Sequence, residues 1–350
     1  MLYQTQNPHG GDIYSEPILL DFSANTNPFG TPQGILDAIQ MHLCDIHRYP
    51  DPYCRKLVQE ISHFENVPAS YILCGNGAAD LIYAYCEAVR PKHAVELAPT
   101  FSEYALGLQR VGCTVDRYAL QQSCAFELGE TFLSYLKQQS PDAVFLCNPN
   151  NPTGKLIRPE LLDRILTFCR EQNTYLFVDE CFLDLTDHGT SVKEYLAAVP
   201  QLFILKAFTK SYGMAGVRLG YGMSSNADLL TRMSAAVQPW NVSSLAQTAG
   251  IAALKEQDFL QKTKDLFRTE RAWLKQQLES CGFWVCPSAA NYLLFQGPVS
   301  LHAALKKQGI AIRNCNNYFG LDAGWYRIAV KRHEENNVLI DAIRQMTERK

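Results

Sequence analysis

The sequence predicts an α/β protein, a mostly parallel sheet sandwiched by helices plus a smaller C-terminal α+β lobe. Three observations carry that prediction. Between residues 34 and 236 short apolar runs alternate with helical patterns, as expected of β-α-β units whose helices cover both faces of a parallel sheet. After Pro239 and Trp240 the pattern changes to one long charged helical stretch, followed by short apolar runs and a terminal helix. The chain's 350 residues exceed what one core usually fills, so a second lobe is expected.

Taken in order, residues 1–34 are rich in Pro, Gly and Asn, with one apolar piece at 18–22. They read as an irregular arm that contributes to the small lobe and the active site. A large domain follows over 35–240. Its strands are expected at 71–73, 93–97, 114–118, 143–147, 175–178, 202–206 and 220–223, each an apolar run too short for a helix. Helices fit between them, for example at 161–172. In the small domain, 241–350, a helical pattern runs over 246–281. Strands are expected there at 291–295, 311–313 and 325–330, before a closing helix.

Composition narrows the function classes. Basic and acidic side chains number 32 and 35, a net of −3, so no basic face is implied and nucleic acid is not an expected partner. No apolar run reaches the roughly 18 residues a membrane-spanning helix needs, so no membrane partner is expected. The 12 cysteines are scattered singly without metal-ligand spacing, and the opening residues lack an apolar signal core. Reduced thiols, no metal and a cytoplasmic location are the expectation.

Four stretches fall where loops at the carboxyl ends of strands should gather, the place where open parallel sheets bind ligands. CGNGAAD, 74–80, has Gly75 and Gly77 for a tight turn, and the amides of Gly77, Ala78 and Ala79 would open the next helix. Free N–H groups and the helix dipole there favour an anion such as phosphate. An ordinary glycine turn fits the same residues, and the G-x-G-x-x-G spacing of a dinucleotide site is missing. CNPNNPTGK, 147–155, combines Asn148, Asn150 and Asn151 with two X-Pro bonds, a stiff loop carrying side-chain amides. YLFVDECFLDL, 175–185, ends a strand on Asp179 and Glu180, costly to bury unless a cation meets them. A helix cap or a solvated pair is the plain alternative. FTKSYGMAGVRLGY, 208–221, sets Lys210 among apolar and aromatic groups, which lowers an amine's pKa and frees it to attack a carbonyl. Thr209 offers a hydroxyl and Arg218 an anion partner, although a lone lysine at a strand end is usually a snorkelling surface residue. Together the four meet the demands of pyridoxal phosphate: an amine for its aldehyde, a carboxylate for its ring nitrogen, a donor for its phenolic oxygen and a phosphate cradle.

In order and spacing, NPNNPTG, VDE, TK and GVRLGY resemble the fold-type-I pyridoxal-phosphate enzymes of the histidinol-phosphate aminotransferase group, along nearly the whole chain. The resemblance implies a fold-type-I transferase with pyridoxal 5′-phosphate as cofactor. It implies that Lys210 binds the cofactor's aldehyde, Asp179 pairs with its ring nitrogen and Asn151 meets its phenolic oxygen. Thr209, Arg218 and the amides at Gly77, Ala78 and Ala79 would hold the cofactor phosphate, and Phe101 in PTFSEY would stack on the ring. Tyr49 in HRYPD would reach the phosphate of a neighbouring subunit, hence a homodimer with shared active sites. Arg327 in YRIAV would clamp the substrate carboxylate, which suits a guanidinium fork.

Within the group, NPHGGDIY at 7–14, LDFSANTNPFG at 20–30, VPASYILCGNG at 67–77 and RNCNNYFGLDAGWYRIAV at 313–330 are similar to the threonine-phosphate decarboxylases. These cobalamin-pathway enzymes turn O-phospho-L-threonine into (R)-1-amino-2-propanol O-2-phosphate and carbon dioxide. That likeness implies that His9, Arg313 and Arg327 surround the substrate's phosphate and carboxylate, with Asn25 lining the same pocket. The alternatives are a histidinol-phosphate or related aminotransferase and an O-phosphoserine decarboxylase. CGNGAAD departs from the group in its alanines. Phe182 stands where many aminotransferases carry a hydroxyl-bearing tyrosine, and Cys181 replaces a common alanine, with packing as its expected role. A non-catalytic regulator on the same fold would carry an extra DNA-binding segment, and it is disfavoured by the presence of both Lys210 and Asp179.

Overall fold

The computed structural model describes residues 9–347; Asn7 and Pro8 of the NPHGGDIY stretch, like the rest of 1–8 in the expected arm, lie outside them. After a two-residue strand β1 (Leu20–Asp21), seven strands form the central sheet: β2 (Ile72–Gly75), β3 (His93–Ala98), β4 (Thr114–Ala119), β5 (Ala143–Cys147), β6 (Tyr175–Asp179), β7 (Leu202–Ala207) and β8 (Gly220–Met223). Each apolar run expected in the large domain is one of these. Their spatial order is β2-β8-β7-β6-β5-β3-β4. All neighbours pair parallel except β8, which runs antiparallel to both β2 and β7. Strand β5 is buried along its whole length, as is β7, because helices cover both faces and leave no side for polar alternation.

The carboxyl ends of β2, β3, β5, β6 and β7 therefore meet at one edge, at Gly75, Ala98, Cys147, Asp179 and Ala207. The amino end of β8, just after Arg218, falls at the same edge. All four motif-bearing stretches emerge there.

The second lobe contains β9 (Trp284–Val285), β10 (Tyr292–Gln296), β11 (Ile310–Ala311), β12 (Arg313–Asn314) and β13 (Trp325–Ala329). Four of these make an antiparallel sheet in the order β12-β13-β10-β9, while β11 pairs in parallel with β1. The apolar piece of the arm is thus stitched to the C-terminal lobe, and Phe22 is fully buried in that lobe's core with Leu274, Leu293, Phe295 and Ile328.

The helical pattern expected over 246–281 is two helices, Ser244–Ala253 and Gln257–Ser280. Ser243 caps the first by accepting from the Ala246 N–H at 3.1 Å, which fixes a separate start. That helix is small and apolar, SLAQTAGIAA, and it packs against helices Gln33–Met41 and Arg55–Glu65 of the large lobe. A Cβ at Gly250 would come within 2.8 Å of Leu57 and 2.5 Å of Leu219, so close approach there requires glycine. The boundary expected at 240/241 thus precedes a helix that belongs by packing to the large lobe.

Candidate active site

At the shared strand edge lies a cavity of about 240 Å³. His9, Asn25, Ala78, Ala79, Phe101, Asn151, Asp179, Thr209, Lys210, Arg218, Arg313 and Arg327, each singled out in the sequence, line it. Gly77 is the residue before that wall, at φ +79°, and a Cβ on it would sit 2.5 Å from Arg218 Nη2. Tyr49 lies elsewhere: it is 78 % exposed and stacks on Trp240 with ring centroids 4.6 Å apart.

Lys210 follows β7 on the one-turn helix Phe208–Ser211. Burial, reinforced by the positive charges of Arg327 and Arg218, lowers its ammonium to about 8 from an ordinary 10.5. This is the depressed amine that the apolar setting in the sequence implied. Asp179 ends β6 with 6 % of its surface exposed. Its Oδ2 accepts from the Tyr104 hydroxyl at 2.6 Å and its Oδ1 from the Cys181 N–H at 2.9 Å. Burial pushes its carboxyl up, and those two hydrogen bonds pull against it.

Of the three asparagines in the 147–155 loop, one lines the cavity and two build the loop. Asn148 accepts from Ile157 N–H at 2.9 Å. Asn150 donates to the Pro99 carbonyl at 2.9 Å and accepts from Thr100 Oγ1 at 2.8 Å. Asn151 Oδ1 accepts from Arg327 Nη1 at 2.5 Å and from the Tyr318 hydroxyl at 3.4 Å. With the oxygen occupied, its amide nitrogen is the end left to donate.

Helix Ala78–Val89 starts at Gly77 with no side-chain cap on its first amides. Ala78, Ala79, Thr209 and Arg218 line the cavity from the large lobe, and Arg313 and Arg327 line it from the small lobe. Arg327, on β13, also donates to the Ser23 carbonyl at 2.8 Å, and its buried Nε has no partner among the described residues. Asn25 Oδ1 is likewise buried and unmatched there. Arg313, on β12, donates to Asn317 Oδ1 at 2.7 Å and lies over the Tyr318 ring.

The arm lines the cavity with His9, Gly10, Ser23, Ala24 and Asn25. Gly11 N–H donates to Ser23 Oγ at 2.7 Å, and a Cβ on Gly10 would lie 2.3 Å from the Ser23 carbonyl, so the paired glycines let the chain lie flat on residue 23. His9 Nε2 then reaches Glu103 Oε1 at 2.9 Å, with its ring 5.9 Å from Phe101. Phe182 packs on Tyr292 and brings no hydroxyl to the cavity. Cys181 packs beside Asp179, its thiol pushed up by burial. Sequence reasoning assigned no role to Tyr104, Tyr318 or Glu103. Tyr104 and Glu103 stand in PTFSEY, three and two residues from Phe101, but their partners lie far away in sequence.

Glu180, the second carboxylate of the VDE stretch, points away from the cavity. It accepts from Ser191 Oγ at 2.6 Å and Val192 N–H at 2.9 Å. Beside it Lys206 is 4 % exposed and paired with Glu65 at 3.0 Å and Asp184 at 2.8 Å. Removing one partner of such a pair strands the others. Lys206→Met is expected to lower unfolding free energy by about 3–5 kcal/mol, read from urea denaturation.

These groups fit pyridoxal phosphate. The set has one depressed amine, one buried carboxylate with neutral partners, an amide donor, and an uncapped helix start where a glycine leaves room. The unmatched Arg327 Nε and Asn25 Oδ1 remain for a further polar ligand. Among the described residues no cluster of His, Cys, Asp and Glu could hold a metal, no cysteine is in a disulfide, and no helix is long and apolar enough to cross a membrane.

Comparison with known proteins places the whole chain in one family. The sequence profile of the aminotransferase class I and II family matches residues 17–343. The chain is 37 % identical to the threonine-phosphate decarboxylase of Salmonella typhimurium, covering 97 % of this chain and 96 % of that one. The histidinol-phosphate aminotransferase of Clostridium acetobutylicum superposes with a TM-score of 0.88 at 28 % identity, over 95 % of this chain and 100 % of the other. The L-threonine-O-3-phosphate decarboxylase of Porphyromonas gingivalis gives 0.84 at 25 % identity, over 94 % and 100 %.

Proposed function

The chain belongs to the aminotransferase class I and II family and is a pyridoxal-phosphate enzyme, and we propose that it decarboxylates O-phospho-L-threonine to (R)-1-amino-2-propanol O-2-phosphate. A cytoplasmic place in cobalamin synthesis goes with that substrate. The reading is supported above all by the basic side chains at the cavity. His9, Arg313 and Arg327 all line it in addition to Arg218, which suits a substrate carrying both a phosphate and a carboxylate besides the cofactor's own phosphate.

In this reading Thr209, Arg218 and the amides of Gly77, Ala78 and Ala79 hold the cofactor phosphate, and Phe101 covers the ring. Asn151 donates to the phenolic oxygen, and Asp179 keeps the ring nitrogen protonated. Bound there, pyridoxal phosphate supplies an electron sink for the pair released at the substrate's Cα. Arg327, Arg313 and His9, with Asn25 lining the same pocket, would fix the two anionic ends of the substrate and so decide that Cα–COO⁻ rather than Cα–H is presented to that electron sink. Lys210, its amine depressed by burial, is placed to give a proton to Cα once carbon dioxide has left.

Incubation with O-phospho-L-threonine should release carbon dioxide with no 2-oxo acid present. Formation of glutamate from 2-oxoglutarate and histidinol phosphate, without gas release, would instead mark an aminotransferase. O-phosphoserine lacks one methyl group, a difference of about 1–3 kcal/mol in selectivity, so it should be turned over more slowly.

Tyr49 belongs to the same reading as a contact with a second copy. Leu36, Met41, Leu43, Ile46, Tyr53 and Trp240 are exposed along with it, a run of large apolar side chains suited to a partner surface. Ile46→Glu is expected to convert a dimer to monomers in light scattering and to weaken cofactor retention together with it.

A further inference from the structure

We infer that Tyr104 is a positioning residue for the cofactor's ring nitrogen, acting through Asp179. The inference concerns cofactor binding, which needs no substrate, and it rests on the pairing of Asp179 with that nitrogen.

Tyr104 is fully buried on helix Glu103–Arg110. Its ring meets Phe101 edge-on at 5.7 Å and packs near Phe145 and Phe177 at 5.9 and 5.8 Å. These contacts leave the phenol one direction, and its hydroxyl sits 2.6 Å from Asp179 Oδ2. With Cys181 N–H on Oδ1 at 2.9 Å, the carboxylate is held at both oxygens and its plane is fixed. Burial and the Asp179 charge keep the phenol protonated, and facing an ionised carboxylate, which only accepts, its hydroxyl donates.

The choice of donor matters as much as its position. The titratable groups facing Asp179 are Tyr104 from its helix, Cys147 from β5, Cys181 after β6 and Tyr292 from β10. None is a cation. An arginine or lysine in place of Tyr104 would hold the carboxylate equally well but cancel its charge, leaving less to attract a protonated ring nitrogen. A phenol stabilises the ionised carboxylate by hydrogen bonding and leaves its net charge intact. The same short turn sends Thr100 to the Asn150 side chain and Phe101 to the cavity wall, so PTFSEY sets the carboxylate, the loop carrying Asn151 and one wall together.

The test measures pyridoxal-phosphate affinity of the apo-protein, prepared as the full chain, across pH for wild type, Tyr104→Phe, Asp179→Asn and the double variant. Tyr104→Phe should bind about ten- to a hundredfold more weakly, the worth of a hydrogen bond to a charged group. Its acidic limb should move to higher pH, because a carboxylate that loses a donor protonates sooner. In the double variant the Tyr104→Phe loss should nearly vanish, as required of a residue that acts through Asp179. The ¹⁵N shift of a labelled ring nitrogen should change in Tyr104→Phe, which a mere packing defect would not produce. Unchanged affinity in Tyr104→Phe, an unmoved acidic limb, or a loss that adds in full to that of Asp179→Asn would overturn the inference. Wild-type affinity in Asp179→Asn would overturn both it and the pairing on which it rests, while leaving the proposed substrate to the gas-release assay.

Discussion

Replacing Lys210 by alanine is expected to cut turnover by roughly 10⁴–10⁶-fold, the scale seen when a covalent catalytic group is deleted, and to erase the absorption band of the bound cofactor. The group is prepared for covalent chemistry before any ligand arrives, since burial and two nearby guanidiniums hold its ammonium near 8 instead of 10.5. Capture of the aldehyde needs the neutral amine. The rate of cofactor uptake by the apo-protein should therefore rise with pH and level off above about 8, where an ordinary lysine would still be climbing. The linked effect on stability has a definite sign. Between about 8 and 10.5 the unfolded chain binds a proton at Lys210 that the folded chain has lost, so this group's contribution to apo-protein stability rises with pH across that window. Below it the destabilising contribution is present in full. Lys210→Ala should lose both the uptake profile and this part of the pH–stability slope. Activity that survives the substitution would show that some other group carries the covalent step.

The sheet was legible in the sequence because its strands are buried on both faces and read as continuous apolar runs. Residues 143–147 and 202–206 needed no alternation to be recognised, and the motif loops followed from strand direction alone. The long helical pattern, by contrast, reads as a single element and folds as two. SLAQTAGIAA is apolar enough to be helical anywhere, and only the Ser243 cap and the fit of Gly250 against Leu57 set it apart from the charged helix Gln257–Ser280. Residue types named Lys210, Asp179 and the glycines at 75 and 77, whose chemistry or conformation is local. Partners separated by a large distance along the chain were not legible: Tyr104 lies 75 residues from Asp179, and Tyr318 lies 167 from Asn151. Nor could composition tell Asn151 from Asn150, since the division of labour between them is set by Pro99, Thr100 and Arg327, which only the folded chain brings near.

Arg327→Lys is expected to lower kcat/KM by roughly 30- to 5,000-fold, the equivalent of the ~2–5 kcal/mol that losing one partner of a buried charged pair costs. Lysine keeps the charge but not the fork. In the structure that fork is already committed, with Nη1 on Asn151 Oδ1 at 2.5 Å and Nη2 on the Ser23 carbonyl at 2.8 Å, while the buried Nε is unmatched among the described residues. A lysine could serve at most part of this set, leaving the Ser23 carbonyl without its donor or Asn151 Oδ1 with only the Tyr318 hydroxyl at 3.4 Å. Asn151 would then be held less firmly, so the change should reach the phenolic oxygen of the cofactor and shift its absorption band even without substrate. The partition of the reaction is a sharper readout than its rate. If Arg327 fixes the rotation of the substrate's Cα, loosening it would let Cα–H be presented in place of Cα–COO⁻ in a fraction of turnovers. The variant should then release less carbon dioxide per substrate consumed and transfer more amino groups to the cofactor, measured as pyridoxamine phosphate. A lower rate with an unchanged ratio of the two products would confine Arg327 to binding and put the choice of bond on Arg313 and His9.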